Sequence, residues 1–157
     1  MKCSVYVISK TDISYVQAGI SDYCKRIERY IQFDYVEIKT PQNSKTIPQS
    51  EIKRKEGELL LSKITSKQKL CLLDENGTLY SSVNFARYIE NKLFDNNIEL
   101  CFVVGGAYGF SDEIYDKAHD KISLSPMTFS HQIVRLLFLE QLYRAFTIIK
   151  GEPYHHV

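Results

Sequence analysis

The sequence lacks the features of a membrane or secreted protein. Its longest apolar stretches fall far short of the ~20 residues that a membrane-spanning helix requires. The opening stretch MKCSVYVISK has one lysine and a short apolar run before it turns polar, so we expect no signal peptide. An excess of charge of one sign is also missing, since the chain has 20 basic and 19 acidic residues. No overall electrostatic potential therefore attracts it to nucleic acid. A cytoplasmic protein without membrane contact is expected.

The four cysteines show no CxxC or other spacing that is typical of a metal site. Cys3, Cys71 and Cys101 each lie within an apolar, strand-like run, where a free cysteine behaves as a small buried hydrophobic residue. We therefore expect reduced core thiols, as in cytosolic proteins, rather than disulfides or a catalytic cysteine.

Several glycine-based motifs are absent. The glycines at 105, 106 and 109 do not form GxGxxG, and the first apolar run is followed by Lys10, Thr11 and Asp12 instead of glycines. This pattern counts against a nicotinamide or flavin enzyme, and the chain has no P-loop. It also lacks GxSxG, which disfavours a hydrolase with a Ser-His-Asp triad.

What is present is the composition of one globular domain. The 157 residues are 44% hydrophobic and 25% charged, and we expect a single domain over 1–157. Short apolar runs alternate with helical patterns, which predicts an α/β fold with a mainly parallel sheet and helices on both faces. The predicted strands are 3–9, 34–39, 69–74, 99–104 and 121–124, and the predicted helices are 13–30, 50–64, 82–94, a short one after 111, and 130–150.

Polar residues are expected at the ends of these elements. Asp12, Ser111 and either Ser81 or Ser82 are predicted helix N-caps, because their side chains can accept hydrogen bonds from the first free amides. The dipeptide at 76–77, Asn-Gly, is a turn signal that should close the third strand. Pro41 and Pro48 bracket a polar loop.

The predicted last helix is apolar around most of its circumference. Such a helix is buried on more than one side, and the sheet of a chain this small can cover only one of them. A second copy of the protein is the expected partner for the other side, since soluble homo-oligomers are most often two-fold dimers. A thin polar line remains, formed by His131, Arg135, Gln141 and Arg144.

Three loops are candidates for a ligand site. Ligands of open parallel sheets collect beyond the carboxyl ends of the strands, which here are followed by residues 74–77, 105–109 and 125–130. The tail at 153–156 adds a tyrosine that can stack and a histidine that titrates near neutral pH. Metal binding is disfavoured there, because adjacent histidines seldom chelate one ion and no carboxylate partner is evident.

One stretch of the chain is basic. Residues 44–69 contain seven basic and three acidic side chains, whereas 95–120 contain six acidic side chains and one lysine. The basic stretch is either an RNA-facing surface or a solvated helix face, and the sequence leaves both readings open.

Several ordered motifs resemble one family. They are LLDENG, KEGE at 55–58, FVVGGAYGFSDEIYDKA, ISLSPMTFSHQIVR, EQLYRAF and GEPYHH. Together they resemble the ribosomal RNA large subunit methyltransferase H family, which belongs to the SPOUT class. The resemblance implies a C-terminal trefoil knot, a homodimer and S-adenosyl-L-methionine as methyl donor. It also implies methylation at N3 of a pseudouridine in 23S rRNA, within the large subunit or the assembled ribosome, without a metal.

The same resemblance implies the site residues. Arg144, Tyr154 and His155 match the catalytic positions, with His155 or a water as proton acceptor. The cofactor-binding positions are Leu73, Gly105, Leu124, Ser125, Pro126, Met127, Thr128 and Phe129. Two other functions stay open: a non-catalytic RNA- or nucleotide-binding module, and a hydrolase or metal enzyme that uses the terminal histidines.

Overall fold

A computed structural model describes residues 2–40, 46–95 and 97–156 of the chain. Strands and helices alternate along it, as the sequence pattern predicts. Their bounds are β1 Lys2–Ile8, α1 Ser14–Ile27, β2 Gln32–Ile38, α2 Gln49–Lys63, β3 Gln68–Leu79, α3 Ser82–Leu93, β4 Glu99–Val104, α4 Asp112–Lys117, β5 Asp120–Ser123 and α5 Ile133–Ile149. The predicted polar loop between Pro41 and Pro48 falls mostly on 41–45, outside the described residues.

The strands form one sheet in the order β2-β1-β4-β3-β5. Every pairing between them is parallel; Val5 of β1, for example, aligns with Phe102 of β4 and with Tyr35 of β2. The central strands β1 and β4 are buried almost throughout, because helices cover both of their faces. The predicted α/β architecture is confirmed.

Side chains of β1 alternate between two cores. Val5 and Val7 pack with helices α1, α3 and α5 on one face of the sheet. Tyr6 and Ile8 point to the opposite face and pack with α2 and α4. This alternation follows from the two-residue period of a strand, and it places helices on both faces.

Helix α5 obtains most of its burial within the chain. It packs against α1 on one flank and α3 on the other, besides the sheet. Phe138, Leu139 and Leu142 are fully buried, and the Phe138 ring lies 4.9 Å from that of Phe102. Leu137 remains exposed. Within the chain, α1 and α3 therefore cover much of the helix surface that was expected to meet a second copy, and the homodimer itself stays a prediction.

The predicted cap at Asp12 is wrong. Ile13 occupies the N-cap position of α1 without a side-chain hydrogen bond. The backbone amide of Asp12 instead donates to Gln132 Oε1 over 3.1 Å, so this residue ties the start of α1 to the start of α5. A long-range contact has replaced local capping.

The predicted end of the third strand is also wrong. β3 continues to Leu79, with a shift in its pairing to β5 between Leu73 and Thr78. Both of these residues pair with Ile122, so the inserted residues form a bulge instead of a turn. A Cβ on Gly77 would lie 2.6 Å from backbone atoms of Ile122, and only glycine fits there.

The other caps divide. Ser81 caps α3 as predicted, and its Oγ accepts from the amide of Asn84 over 3.2 Å. Ser111 stands at the N-cap position of α4, but its side chain makes no capping bond. The predicted last helix begins at Ile133, and the Oγ of Ser130 accepts from the amide of that residue over 3.2 Å.

Candidate functional site

A cavity of about 710 Å³ lies at the carboxyl ends of β3, β4 and β5. The three loops singled out from the sequence all line it, because parallel strands bring their carboxyl ends to one edge of the sheet. Of the predicted cofactor positions, those that line it are Leu73, Gly105, Leu124, Ser125, Met127, Thr128 and Phe129. Pro126, which the structure also describes, is not among the lining residues.

The loop after β5 is held by its own hydroxyl groups. Ser123 Oγ donates to the carbonyl of Ser125 over 3.0 Å, and Ser125 Oγ accepts from the amide of Met127 over 2.9 Å. Met127 and Phe129 are exposed by 76% and 42%. The loop therefore offers two apolar side chains that can cover a bound ligand.

The loop after β4 is rich in glycine where it meets the cavity. Gly106 and Gly109 form an antiparallel bridge, and the amide of Gly109 donates to the carbonyl of Gly106 over 3.2 Å. Gly109 has φ of +78°, a conformation that favours glycine. The glycines of this tight turn let a ligand approach their peptide groups, and Ala107 and Tyr108 line the cavity beside them.

The charge around the cavity is acidic. Asp74 and Glu75 line it, and among its described lining residues there is neither a lysine nor an arginine. Tyr115 donates to Asp74 Oδ2 over 2.5 Å, and burial together with this bond raises the pKa of Tyr115 to about 12. Burial and the nearby Arg135 lower the pKa of His131, so its imidazole is neutral at pH 7. Such a cavity suits a cationic or neutral ligand better than a phosphate-rich one.

The predicted catalytic residues form a second cluster. Arg144 Nη1 lies 3.3 Å from His155 Nδ1, and the Arg144 guanidinium lies 4.8 Å from the centre of the Tyr154 ring. Glu140 joins the cluster: its Oε1 accepts from Arg144 Nη2 over 2.5 Å and from the Tyr154 hydroxyl over 3.1 Å. The bond to Glu140 raises the pKa of Arg144, and burial raises that of Tyr154. We call these four residues the Arg144 cluster.

The Arg144 cluster is separated from the cavity along α5. Val134, in the first turn of this helix, lines the cavity. Arg144 lies ten residues further on, which corresponds to about 15 Å at 1.5 Å per residue. Arg144, Tyr154 and His155 do not line the cavity, so the described part of one chain does not bring the two predicted sets of residues together.

Arg135 differs from its predicted position on a polar surface line. It is fully buried and anchors the residues after β1. Its guanidinium donates to the carbonyl of Ile8 over 2.7 Å, to Thr11 Oγ1 over 2.7 Å and to the carbonyl of Ser9 over 3.2 Å. Ser9 has φ of +72°, and these bonds stabilise that unusual backbone. Arg135 thus ties α5 to the end of β1 beside the site.

Glu140 and Arg135 were not predicted from the sequence as parts of a site. The spacing of Glu140 and Arg144, four residues apart on one helix, is a signal that could have indicated their ion pair. Apart from the carbonyl of His131, the acceptors of Arg135 lie more than 120 residues away in the chain, so no local signal indicates its contacts with the end of β1.

The cysteines belong neither to the lining of the cavity nor to the Arg144 cluster. All four are free, and Cys3, Cys71 and Cys101 are buried, as predicted. Burial raises the pKa of both Cys71 and Cys101 to about 12, so neither is a thiolate at pH 7.

The described residues contain neither a cluster of metal-ligating side chains nor a membrane-spanning helix. Across 2–40, 46–95 and 97–156, no three His, Cys, Asp or Glu residues are grouped as a metal site. Within the same ranges, no helix has the length and apolar character to cross a membrane.

The family of the chain follows from sequence comparison. The family model described as "Predicted SPOUT methyltransferase" matches residues 1–155, and the chain belongs to this family of methyltransferases. It is 53% identical over 156 residues to the "Ribosomal RNA large subunit methyltransferase H" of Flavobacterium psychrophilum, with 99% of both chains covered. The protein of the same name from Bacteroides fragilis is 46% identical, again over 99% of both chains. The resemblance noted in the sequence motifs is confirmed.

A solved structure supports the fold. It is titled "Crystal Structure of Probable Methyltransferase from Bordetella pertussis Tohama I", and the match covers 92% of this chain and 93% of that one. The TM-score is 0.53 and the sequence identity is 12%. At this identity the likeness concerns the fold alone.

Proposed function

We propose that this protein is an S-adenosyl-L-methionine-dependent methyltransferase that methylates N3 of a pseudouridine in 23S rRNA. The observation that carries the proposal is the convergence of three loops on one acidic cavity, in a chain that belongs to the SPOUT family. The full-length relatives named for rRNA large subunit methylation give the substrate class.

The cavity fits the proposed methyl donor. This donor carries a sulfonium cation and an adenosyl group, and the cavity offers acidic side chains, bare peptide groups and exposed apolar side chains. Leu73, Gly105 and residues 124–129 would hold it through backbone groups and apolar contacts. When bound, S-adenosyl-L-methionine supplies a methyl group on sulfur. The protein's own part is then to align the acceptor nitrogen with this carbon.

The Arg144 cluster suits the acceptor side of the reaction. N3 of the base must lose a proton as its bond to the methyl carbon forms, and negative charge develops on the imide oxygens. Arg144 is always protonated, so His155 Nδ1 accepts from it, and the proton of the neutral imidazole then lies on Nε2. His155 is thereby oriented as a hydrogen-bond donor to an imide oxygen. This favours a water molecule over His155 as the proton acceptor.

A homodimer would bring the cavity and the Arg144 cluster together. The two lie about 15 Å apart along α5, which is too far for one small base to touch both. We propose that the cluster of one protomer completes the cavity of its partner. Met127 and Phe129, in the loop before α5, and Leu137, in its second turn, are exposed apolar side chains that offer surface for this contact.

The dimer proposal is tested by mixing two inactive variants. One carries Arg144→Ala and the other a substitution in the cavity, Gly105→Val. A mixed dimer holds one site with both native parts, so activity should return to at least a fraction of the native level after subunit exchange. Light scattering of the separate variants must show dimers, and mixtures that stay inactive despite exchange contradict the proposal.

Two further features follow from family membership as proposals. The C-terminal part is a trefoil knot, and residues 1–157 form a single domain. The match of the family model over 1–155 supports both, and the packing of α5 between α1 and α3 supports the single domain. Reversible unfolding in one transition, followed by slow refolding, is the expected behaviour.

The decisive assay for the activity uses ribosomes from cells that lack this protein. Transfer of labelled methyl groups to the large subunit rRNA, mapped to N3 of a pseudouridine, is the expected result. Binding of S-adenosyl-L-methionine without transfer would instead indicate the non-catalytic binding module.

The partner is proposed to be rRNA within the large subunit or the assembled ribosome. A net charge of +1 gives little attraction for naked RNA. We expect weak, strongly salt-dependent binding to isolated rRNA, and equal affinity for free rRNA and ribosomes would contradict this.

A further inference from the structure

A buried carboxyl group lies behind the glycine loop of the cavity. Glu56, on α2, is 93% buried, since only 7% of its surface is exposed. Its Oε2 has no hydrogen-bond partner in the part of the chain that the structure describes, and the same holds for the buried Oγ of Ser111. A buried polar atom without a partner is uncommon in native proteins and asks for an explanation.

The carboxyl group contacts a residue that lines the cavity. A Cβ built on Gly106 would lie 3.1 Å from both Oε1 and Oε2 of Glu56, so the carboxyl group packs directly on the α-carbon of this glycine. On the other side, a Cβ on Gly57 would lie 2.7 Å from Ser111 Oγ. Two glycines therefore allow the acid and the hydroxyl to pack against backbone, one of them at the cavity wall.

No ion pair of the described residues accounts for the burial of this carboxyl group. Glu56 forms no ion pair within the described residues, whereas its neighbours Arg54 and Glu58 pair with each other on the exposed face of α2. An unpaired buried acid weakens the folded state relative to an apolar side chain of similar size. Its position against Gly106, in the glycine-rich loop of the cavity wall, points to a role there.

We propose that Glu56 is a positioning residue for the loop at 105–109, and that its carboxyl group gains its polar partner when the cavity binds the methyl donor. The carboxyl oxygens of Glu56 lie beside the α-carbon of Gly106. A small change in the conformation of the loop on ligand binding can therefore bring a peptide N–H of the loop to this carboxyl group. Part of the binding free energy then comes from removing the cost of a buried carboxyl group that has no hydrogen-bond partner. The inference rests on the proposed function for the identity of the ligand.

The test compares Glu56→Met with Glu56→Gln in the full-length protein. Methionine fills similar volume without polar atoms, so we expect the unliganded variant to have a higher thermal midpoint than the native protein. Its affinity for S-adenosyl-L-methionine and for the demethylated product, measured by calorimetry, should fall about tenfold. Glutamine keeps a hydrogen-bonding group and should bind within about threefold of the native protein.

The control is Glu58→Met, an exposed position two residues along the same helix. It should change neither the thermal midpoint nor the affinity appreciably. A lower thermal midpoint for Glu56→Met, or an unchanged affinity for both compounds, would overturn the proposal. A loss of affinity for the cationic donor alone would also overturn it, because it would show that the carboxylate attracts the sulfonium charge directly. If the native protein binds neither compound, the proposed function fails instead, and that result is seen without any variant.

Discussion

Arg144 Nη1 lies 3.3 Å from His155 Nδ1, which joins the last helix to the C-terminal tail. The contact is reinforced by Glu140, which accepts hydrogen bonds from both Arg144 and Tyr154. A tail that would otherwise fray is thereby fixed on the helix, which in our proposal leaves the Nε2 of His155 to donate to the substrate.

Replacing His155 tests its role as a hydrogen-bond donor. We expect His155→Ala to lower the single-turnover methylation rate by about a hundredfold, the scale for losing one donor to a developing oxyanion. His155→Asn should recover part of the rate, because an amide can accept from Arg144 and still donate. Rapid-quench assays on ribosomes measure both.

The neighbouring His156 provides the matched control. It is exposed, and His156→Ala should methylate at the native rate. If the rate of the native enzyme rises with pH through a step that His155→Asn removes, then His155 is the proton acceptor and the assignment to water is wrong.

Removing Arg135 should destabilise the protein. Its guanidinium serves the carbonyls of Ile8 and Ser9 and the hydroxyl of Thr11, and Arg135→Met leaves these groups without their donor. We expect a loss of about 2 to 3 kcal/mol in the free energy of unfolding. Equilibrium urea denaturation with an unchanged slope measures it, and Lys in place of Arg135 should lose less. If Arg135→Met is as stable as the native protein, the hydrogen bonds of the buried guanidinium do not contribute to the free energy of unfolding.

The stability of the protein should depend on pH through Glu56. Burial raises the pKa of this carboxyl group above its ordinary value of 4.5. The folded protein then holds the proton more tightly than the unfolded chain, so this group lowers the free energy of unfolding at neutral pH. The penalty disappears as the pH falls through the raised pKa.

The measurable form is a difference between variants. Glu56→Gln should be more stable than the native protein near pH 7, and the difference should shrink steadily as the pH approaches 4.5. Denaturation curves at several pH values give it. Glu58→Gln, at an exposed position, should show no such trend, and a pH-independent difference for Glu56→Gln would contradict the assignment.

Two exposed lysines test the basic stretch as an RNA-facing surface. Lys63 and Lys67 form no ion pair within the residues that the structure describes, whereas Arg54 and Lys55 of the same stretch are paired with Glu51. Reversing both lysines to glutamate should lower kcat/KM for ribosomes by about tenfold and reduce its salt dependence. Binding of S-adenosyl-L-methionine should not change.

The control for that experiment is Lys117→Glu. Lys117 lies in the acidic stretch and is paired with Glu113 over 3.3 Å. Its reversal should leave kcat/KM nearly unaltered. Unchanged methylation after reversal of Lys63 and Lys67 would identify the stretch as a solvated helix face.

The order of strands and helices could be predicted because it depends on the local periodicity of apolar residues along the chain. The predicted fourth strand, 99–104, coincides with β4, since its apolar run at 100–104 lies between a glutamate and a glycine that mark the ends. The predicted element boundaries were wrong where pairing with a distant part of the backbone determines the structure. Gly77 looks like a turn residue, but β5 offers a pairing partner across it, and the strand continues.

The site could be predicted in part for a similar reason. The carboxyl ends of parallel strands must meet, so the three loops could be placed at one cavity from their order alone. Neither the burial of Arg135 nor the unpaired Glu56 could be predicted, because both depend on contacts with residues far away in the chain.

Helix α5 begins at the cavity and carries Arg144 near its other end, so it acts as a rigid spacer. Each added or deleted residue would turn everything beyond it by about 100° and shift it by about 1.5 Å. Substitutions at exposed positions outside the Arg144 cluster and the proposed dimer contact are tolerable, but a change of length between Val134 and Arg144 would move the cavity and the Arg144 cluster out of alignment. Evolution of this enzyme is therefore expected to vary the composition of the helix and to keep its residue count.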